Sequence, residues 1–208
     1  MIRGLAFDLG GVVIEWNNST TYRYIEERYG IPQAEFRRVA QEEMPAAQVA
    51  EISEEEWMAD TFSRLGLDHP DGYADVWGRT FEAARYNPEV VSLVKKLRSR
   101  GYRVAALSNI EASRAKWLRA HGLSSIFDEV ILSCEVGLRK PDLSPGTSGD
   151  LGMFKLVTDA LKLKVGECLF VDDNVYCVDA GKLAGLDSIL YRGYEELLVE
   201  LGSRGIRL

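Results

Sequence analysis

The sequence predicts an α/β fold, a doubly wound parallel sheet interrupted once by an all-helical insert. Three observations predict it. Short apolar runs rich in Val, Leu and Ala recur along the chain, helical patterns separate the later ones, and residues 18–86 carry helical signals with no convincing strand. Buried parallel strands read as continuous apolar runs because helices cover both faces of the sheet. Strands alternating with helices imply right-handed crossovers.

The strands are expected at 4–8 (GLAFD), 102–108 (YRVAALS), 129–133 (EVILS), 168–173 (CLFVDD) and 188–191 (SILY). After the second boundary of the insert, Asn87 precedes Pro88 as a cap before a proline at the first helical position. Val90, Val91, Val94 and Leu97 then keep helical spacing until Gly101 stops the helix. Further helices are expected at 111–121, 153–163 and 175–183. Within the insert, helices are expected at 20–29, 33–42 and 73–85, with another after the capping-box pair Ser53 and Glu56. The expected division is a core of 1–16 and 87–208 and a helical cap of 17–86. Residues 143–152, LSPGTSGDLG, lack periodicity and read as an irregular surface loop.

The chain has 208 residues, 46% of them hydrophobic and 27% charged, enough for one substantial core. A formal net charge of −7 argues against a nucleic-acid partner, which needs clustered Lys and Arg. Cys134, Cys168 and Cys177 are odd in number and show no C-x-x-C spacing, so a reducing cytoplasm is expected rather than a disulfide framework. Asp8 breaks the first apolar run, and no stretch reaches the roughly 20 apolar residues of a membrane helix. We expect a soluble, unprocessed chain with no membrane partner.

Four polar clusters fall at the C-terminal ends of the expected strands: Asp8, Ser108 with Asn109, Arg139 with Lys140, and Asp172 with Asp173. In an open parallel sheet those ends face one crevice at the point where strand order reverses. The clusters together supply a carboxylate nucleophile, a hydroxyl, a cation and two further carboxylates. That inventory suits phosphoryl transfer, with three acids able to hold Mg²⁺ through oxygen and Ser108 and Lys140 able to hold phosphate oxygens.

The motifs FDLGGVV (7–13), LSN (107–109), GLRKPD (137–142) and VDDN (171–174) resemble those of the haloacid dehalogenase superfamily, in order and at strand ends. The resemblance implies a Rossmann-like core with a helical cap inserted after the first strand. It implies that Asp8 is the nucleophile forming an aspartyl phosphate and also a metal ligand, with Asp173 the direct carboxylate ligand. It further implies that Asp172 acts on the metal through water or exchanges roles with Asp173, and that the main-chain carbonyl of Gly10 completes the Mg²⁺ site. Ser108 and Asn109 would bind the phosphoryl group, Lys140 would neutralise its charge and orient Asp8, and Arg139 would support its loop.

Most phosphatases of that superfamily carry a second aspartate two positions after the nucleophile, as acid and then base. Here that position is Gly10. Such general acid–base help is typically worth about 10²- to 10⁴-fold. Three readings of the glycine follow. A D-L-G-[GN]-V branch of phosphatases, including sugar-phosphate phosphatases, resembles this motif, and protonation would then come from water, the substrate or Glu15. A 2-haloacid dehalogenase needs no proton for its leaving halide and no metal, but adjacent Asp172 and Asp173 beside Asp8 would repel one another without a cation. A non-catalytic member would bind a phosphorylated ligand or a protein partner without turning it over.

Cys177 stands where related phosphatases often have Asn or Asp, and is read as a small packing residue. His69 and His121 have no carboxylate partner at useful spacing, so a histidine mechanism is not expected. Trp57, Trp77 and Trp117 are read as packing residues, and Trp16, after Glu15 at the cap junction, as a wall of the substrate pocket. The expected activity is Mg²⁺-dependent hydrolysis of a small phosphorylated metabolite.

Overall fold

The structure is a computed structural model that describes residues 1–67, 73–141 and 151–208. In chain order it has β1 (Gly4–Phe7), β2 (Ile14–Glu15), α1 (Ser19–Tyr29), α2 (Gln33–Gln48), α3 (Glu54–Arg64), α4 (Tyr73–Ala83) and β3 (Arg85–Tyr86). There follow α5 (Pro88–Ser99), β4 (Arg103–Ser108), α6 (Ala112–Ala120), α7 (Leu123–Ile126), β5 (Glu129–Leu132) and α8 (Ser133–Val136). The chain closes with α9 (Gly152–Ala160), β6 (Cys168–Asp172), α10 (Val175–Leu183), β7 (Asp187–Leu190) and α11 (Tyr194–Ser203).

One parallel sheet has the order β5-β4-β1-β6-β7. The chain leaves β1 toward one edge through β4 and β5, then returns to the other side through β6 and β7. The reversal therefore falls at β1, where Phe7 is in register with Ala106 and Val171. Side chains alternate between two buried faces, as the strand period of two requires. Leu5, Phe7, Val104, Ala106, Leu169 and Val171 join one apolar cluster; Ala6, Ala105, Leu107, Cys168 and Phe170 join the other, with Cys177. Full burial of a side chain such as Phe7 contributes about 1.5–3 kcal/mol.

Helices α1 to α4 build a third cluster around Ile25, Phe36, Trp57, Phe62 and Trp77. The capping box forms as read: the Ser53 hydroxyl accepts from Glu56 N, and Glu56 accepts from Ser53 N. The Asn87 side chain likewise accepts from Glu89 N and Val90 N ahead of Pro88.

Several boundaries differ from expectation. Arg85 does not end a helix but joins Tyr86 in β3, paired antiparallel with β2. Two residues are too few to display alternation, so this strand had no pattern to reveal it. Helix α2 runs on through Pro45 to Gln48. Proline removes one hydrogen bond there, and burial of Ala47 and Gln48 holds the last turn instead. Ser133 opens α8 rather than ending β5, and α9 ends at Ala160, before the left-handed Lys162. Of the 143–152 segment, residues 143–150 lie outside the described residues, as do His69 and Asp142. Among the described residues no helix is long and apolar enough to cross a membrane.

Candidate functional site

Asp8 follows β1 directly, and its N–H donates to Val171 O at 2.8 Å, so the central strand and β6 fix where it sits. Lys140 Nζ lies 2.5 Å from Asp8 Oδ1 and 2.6 Å from Asp172 Oδ2. The second Asp172 oxygen accepts from Asn174 N at 2.8 Å. Lys140 and Asp172 are both buried, behind Asp8 as seen from the crevice. The lysine backbone is held by Asn109, whose Oδ1 accepts from Lys140 N at 2.6 Å and whose Nδ2 donates to Lys140 O at 2.9 Å.

The turn after Asp8 depends on glycine. Gly11 has φ +75°, and a Cβ there would stand 2.0 Å from Asp173 Oδ2. The bare backbone lets the Asp173 carboxylate lie over the turn, and ligand oxygens of Asp8, Asp172 and Asp173 fall within 4.8 Å of one another. Three acids face one lysine, an excess of negative charge that a hard divalent cation with oxygen ligands fits. The electrostatics agree with that deficit. Burial pushes the Asp8 carboxyl up to about 7, with Lys140 opposing and Asp172 and Asp173 adding to the rise. Burial and Asp172 also raise Asp173. Burial works against charge on Lys140 too, yet Asp172 and Asp8 hold it protonated, above the usual lysine value.

Asp8, Gly10, Ser108, Asn109 and Asp173 lie on the floor of a crevice of about 810 Å³, closed on its other side by the helical segment. Glu15 and Trp16 line it as well, Glu15 exposed and Trp16 buried. Asn109 lines the crevice while both ends of its side-chain amide are engaged by the lysine backbone. Arg139 reaches Gln48 on α2 at 3.4 Å. His121 is exposed and stacked on Trp117, with centroids 3.9 Å apart.

Sequence reading missed the seam between helical segment and sheet. Gln48 Nε2 donates to Glu111 Oε1 at 3.1 Å, Arg114 Nη2 to Asn18 Oδ1 at 2.9 Å, and Ser113 Oγ to Glu54 Oε1 at 2.8 Å. Arg114 also stacks between Trp16 and Trp77, 5.0 Å from each ring centroid. Glu111, Ser113 and Arg114 directly follow the LSN motif, the one signal that pointed toward them.

The sequence model of the haloacid dehalogenase-like hydrolases matches residues 2–185. The chain belongs to that family. This hydrolase is 24% identical to bifunctional epoxide hydrolase 2 of Sus scrofa, over 96% of its own length but 38% of the relative's. It is 23% identical to drimenol cyclase of Aspergillus calidoustus, over 97% of its own length and 36% of the relative's. The hydrolase thus spans little more than a third of these curated relatives. Among solved structures, a wild-type family enzyme of Bacteroides thetaiotaomicron in complex with magnesium and inorganic phosphate aligns with TM-score 0.69 at 20% identity, over 95% of this chain and 99% of that one. The L-2-haloacid dehalogenase of Xanthobacter autotrophicus with chloropropionic acid covalently bound aligns with TM-score 0.65 at 22% identity, over 100% and 85%. At these identities the likeness establishes the shared fold.

Proposed function

We propose that this hydrolase is a Mg²⁺-dependent phosphatase acting on a small phosphorylated metabolite. The observation that carries the reading is the gathering of Asp8, Asp172 and Asp173 around the single cation Lys140, at the floor of a crevice large enough for a metabolite. Asp8 and Asp173, with the Gly10 carbonyl, would hold the metal. When bound, it supplies the positive charge that lets an anionic nucleophile approach an anionic phosphate. Asp172 has both oxygens engaged and serves chiefly to fix Lys140.

In this reading an Asp8 carboxylate oxygen attacks phosphorus in line. The bond to the leaving oxygen breaks, and the alkoxide takes a proton. Gly10 cannot give that proton, so it comes from water, the substrate or Glu15, which is exposed on the crevice wall. Water then cleaves the aspartyl phosphate, releasing inorganic phosphate and restoring Asp8. Ser108 presents its hydroxyl to the phosphoryl oxygens, Lys140 stabilises the charge at Asp8, and Asn109 keeps Lys140 in place. The helical segment acts as a cap that excludes water and selects the leaving group. Three cysteines without disulfide partners suit a reducing cytoplasm.

Turnover of a panel of metabolite phosphates, with and without Mg²⁺, tests the reading. Phosphate release that needs Mg²⁺ supports it. Chloride release from a 2-chloroacid without Mg²⁺ would instead favour dehalogenation, for which the absence of a second aspartate is no handicap. Binding of phosphate esters with no turnover of any would favour a ligand-binding member.

A further inference from the structure

Helix α2 has two faces with different work. Phe36, Ala40 and Ala47 turn into the cap core. Arg37, Gln41, Met44 and Gln48, spaced by four, three and four residues, form a stripe that lines the crevice. A helical face turned toward a cavity need not be this polar, and the stripe is graded along its length. At its inner end Gln48 is buried and held between Glu111 and Arg139. At its outer end Arg37 is exposed, and among the described residues its guanidinium has no ion-pair partner.

The neighbouring cations Arg38 and Arg114 are committed elsewhere. Arg38 points away from the stripe and pairs with Glu42 at 2.9 Å. Arg114 is paired with Glu111 at 3.5 Å and held between two indoles. Glu15, in register with Arg85 across the β2–β3 pair, lines the same crevice, and among the described residues no ion pair joins it to Arg37. Tyr22, also on the crevice, feels the positive charges of both Arg37 and Arg114, and burial keeps its hydroxyl protonated as a donor. The roof thus offers one unneutralised guanidinium with a phenol in its field. A guanidinium recognises oxyanions through paired N–H donors.

The geometry points to Arg37 as the specificity residue for a leaving group whose far end is itself an oxyanion. The substrate class is then a small phosphomonoester carrying a carboxylate or a second phosphate. This inference rests on the phosphatase reading for the reacting end and adds the identity of the other.

Matched esters test it: 3-phosphoglycerate, glycerol 3-phosphate and 1,3-propanediol bisphosphate, assayed for kcat/KM with Mg²⁺ in the wild type and Arg37→Gln. A preference of about tenfold or more for an anion-tailed ester over glycerol 3-phosphate is expected, carried in KM and collapsing toward unity in the variant. Because the preference is a ratio within one preparation, a partly misfolded variant does not mimic its loss. The two tailed esters separate carboxylate from phosphate. Equal kcat/KM values in the wild type, or a preference that survives Arg37→Gln, would overturn the inference and leave the phosphatase reading standing. Should no ester turn over, that reading fails. Binding to the same two proteins, read by tryptophan fluorescence, then decides: tighter binding of a tailed ester that Arg37→Gln abolishes upholds the inference, and equal binding ends it.

Discussion

Lys140 meets Asp8 at 2.5 Å in a position almost closed to water, with Asp172 at 2.6 Å on its other side. One cation holds two buried acids, so its removal leaves both unpaired. Lys140→Ala should destabilise the fold by about 3–5 kcal/mol and reduce turnover by roughly 10²-fold or more. Adding Asp172→Asn should recover part of the stability and none of the activity. Thermal melts and initial rates check this, and a wild-type melting temperature for Lys140→Ala would contradict it.

Asp8→Asn should lower turnover by a factor on the order of 10³ or more while the fold persists. The same variant tests the electrostatics. The folded-state pKa of Asp8, about 7, lies above its ordinary 3.8, so the folded protein keeps a proton that the unfolded chain releases. Cation-free stability should therefore fall as pH rises through the window from about 4 to 7. Asp8→Asn cannot titrate, so its melting temperature should show less of this fall and exceed the wild type at about pH 8. Identical pH profiles of melting for the two proteins would refute the raised carboxyl.

Gly10 has room for a side chain. A Cβ there meets Trp16 at 3.6 Å and Asp8 Oδ2 at 4.0 Å, both ordinary contacts. Gly10→Asp should raise kcat on alkyl phosphates, whose leaving oxygen needs a proton, by about tenfold or more. On p-nitrophenyl phosphate, whose leaving group departs unprotonated, the gain should be small. An equal gain on both would mean that the new carboxyl does not act as an acid.

Gly11 has no such room. Gly11→Ala places a Cβ 2.0 Å from Asp173 Oδ2 and strains a backbone at φ +75°. Asp173 must then move, and the concentration of Mg²⁺ needed for half-maximal turnover should rise by about tenfold or more. An unchanged Mg²⁺ requirement would place the metal elsewhere.

The sheet was legible because its strands are apolar runs of four to six residues bounded by glycine, asparagine or acids. The strand-end cluster of Asp8, Ser108, Lys140, Asp172 and Asp173 was legible for the same reason, since topology alone brings strand ends together. What escaped reading was set by tertiary context. The β2–β3 pair is too short to show a period. The last turn of α2 persists past Pro45 because burial outweighs propensity. The Gln48, Arg114 and Glu54 contacts join residues 59 to 96 positions apart, which no local pattern encodes. That the Asn109 amide also holds the Lys140 backbone follows only from the three-dimensional path of the chain.

That amide bears on how the enzyme tolerates change. Asn109 holds the lysine by both backbone groups, so the position of Lys140 is tied to the end of β4. A substitution at Asn109 is thereby transmitted to the reacting centre through the lysine. The charge beside Asp8 is set from the neighbouring strand, by a residue whose amide bonds the lysine backbone and not the carboxylates.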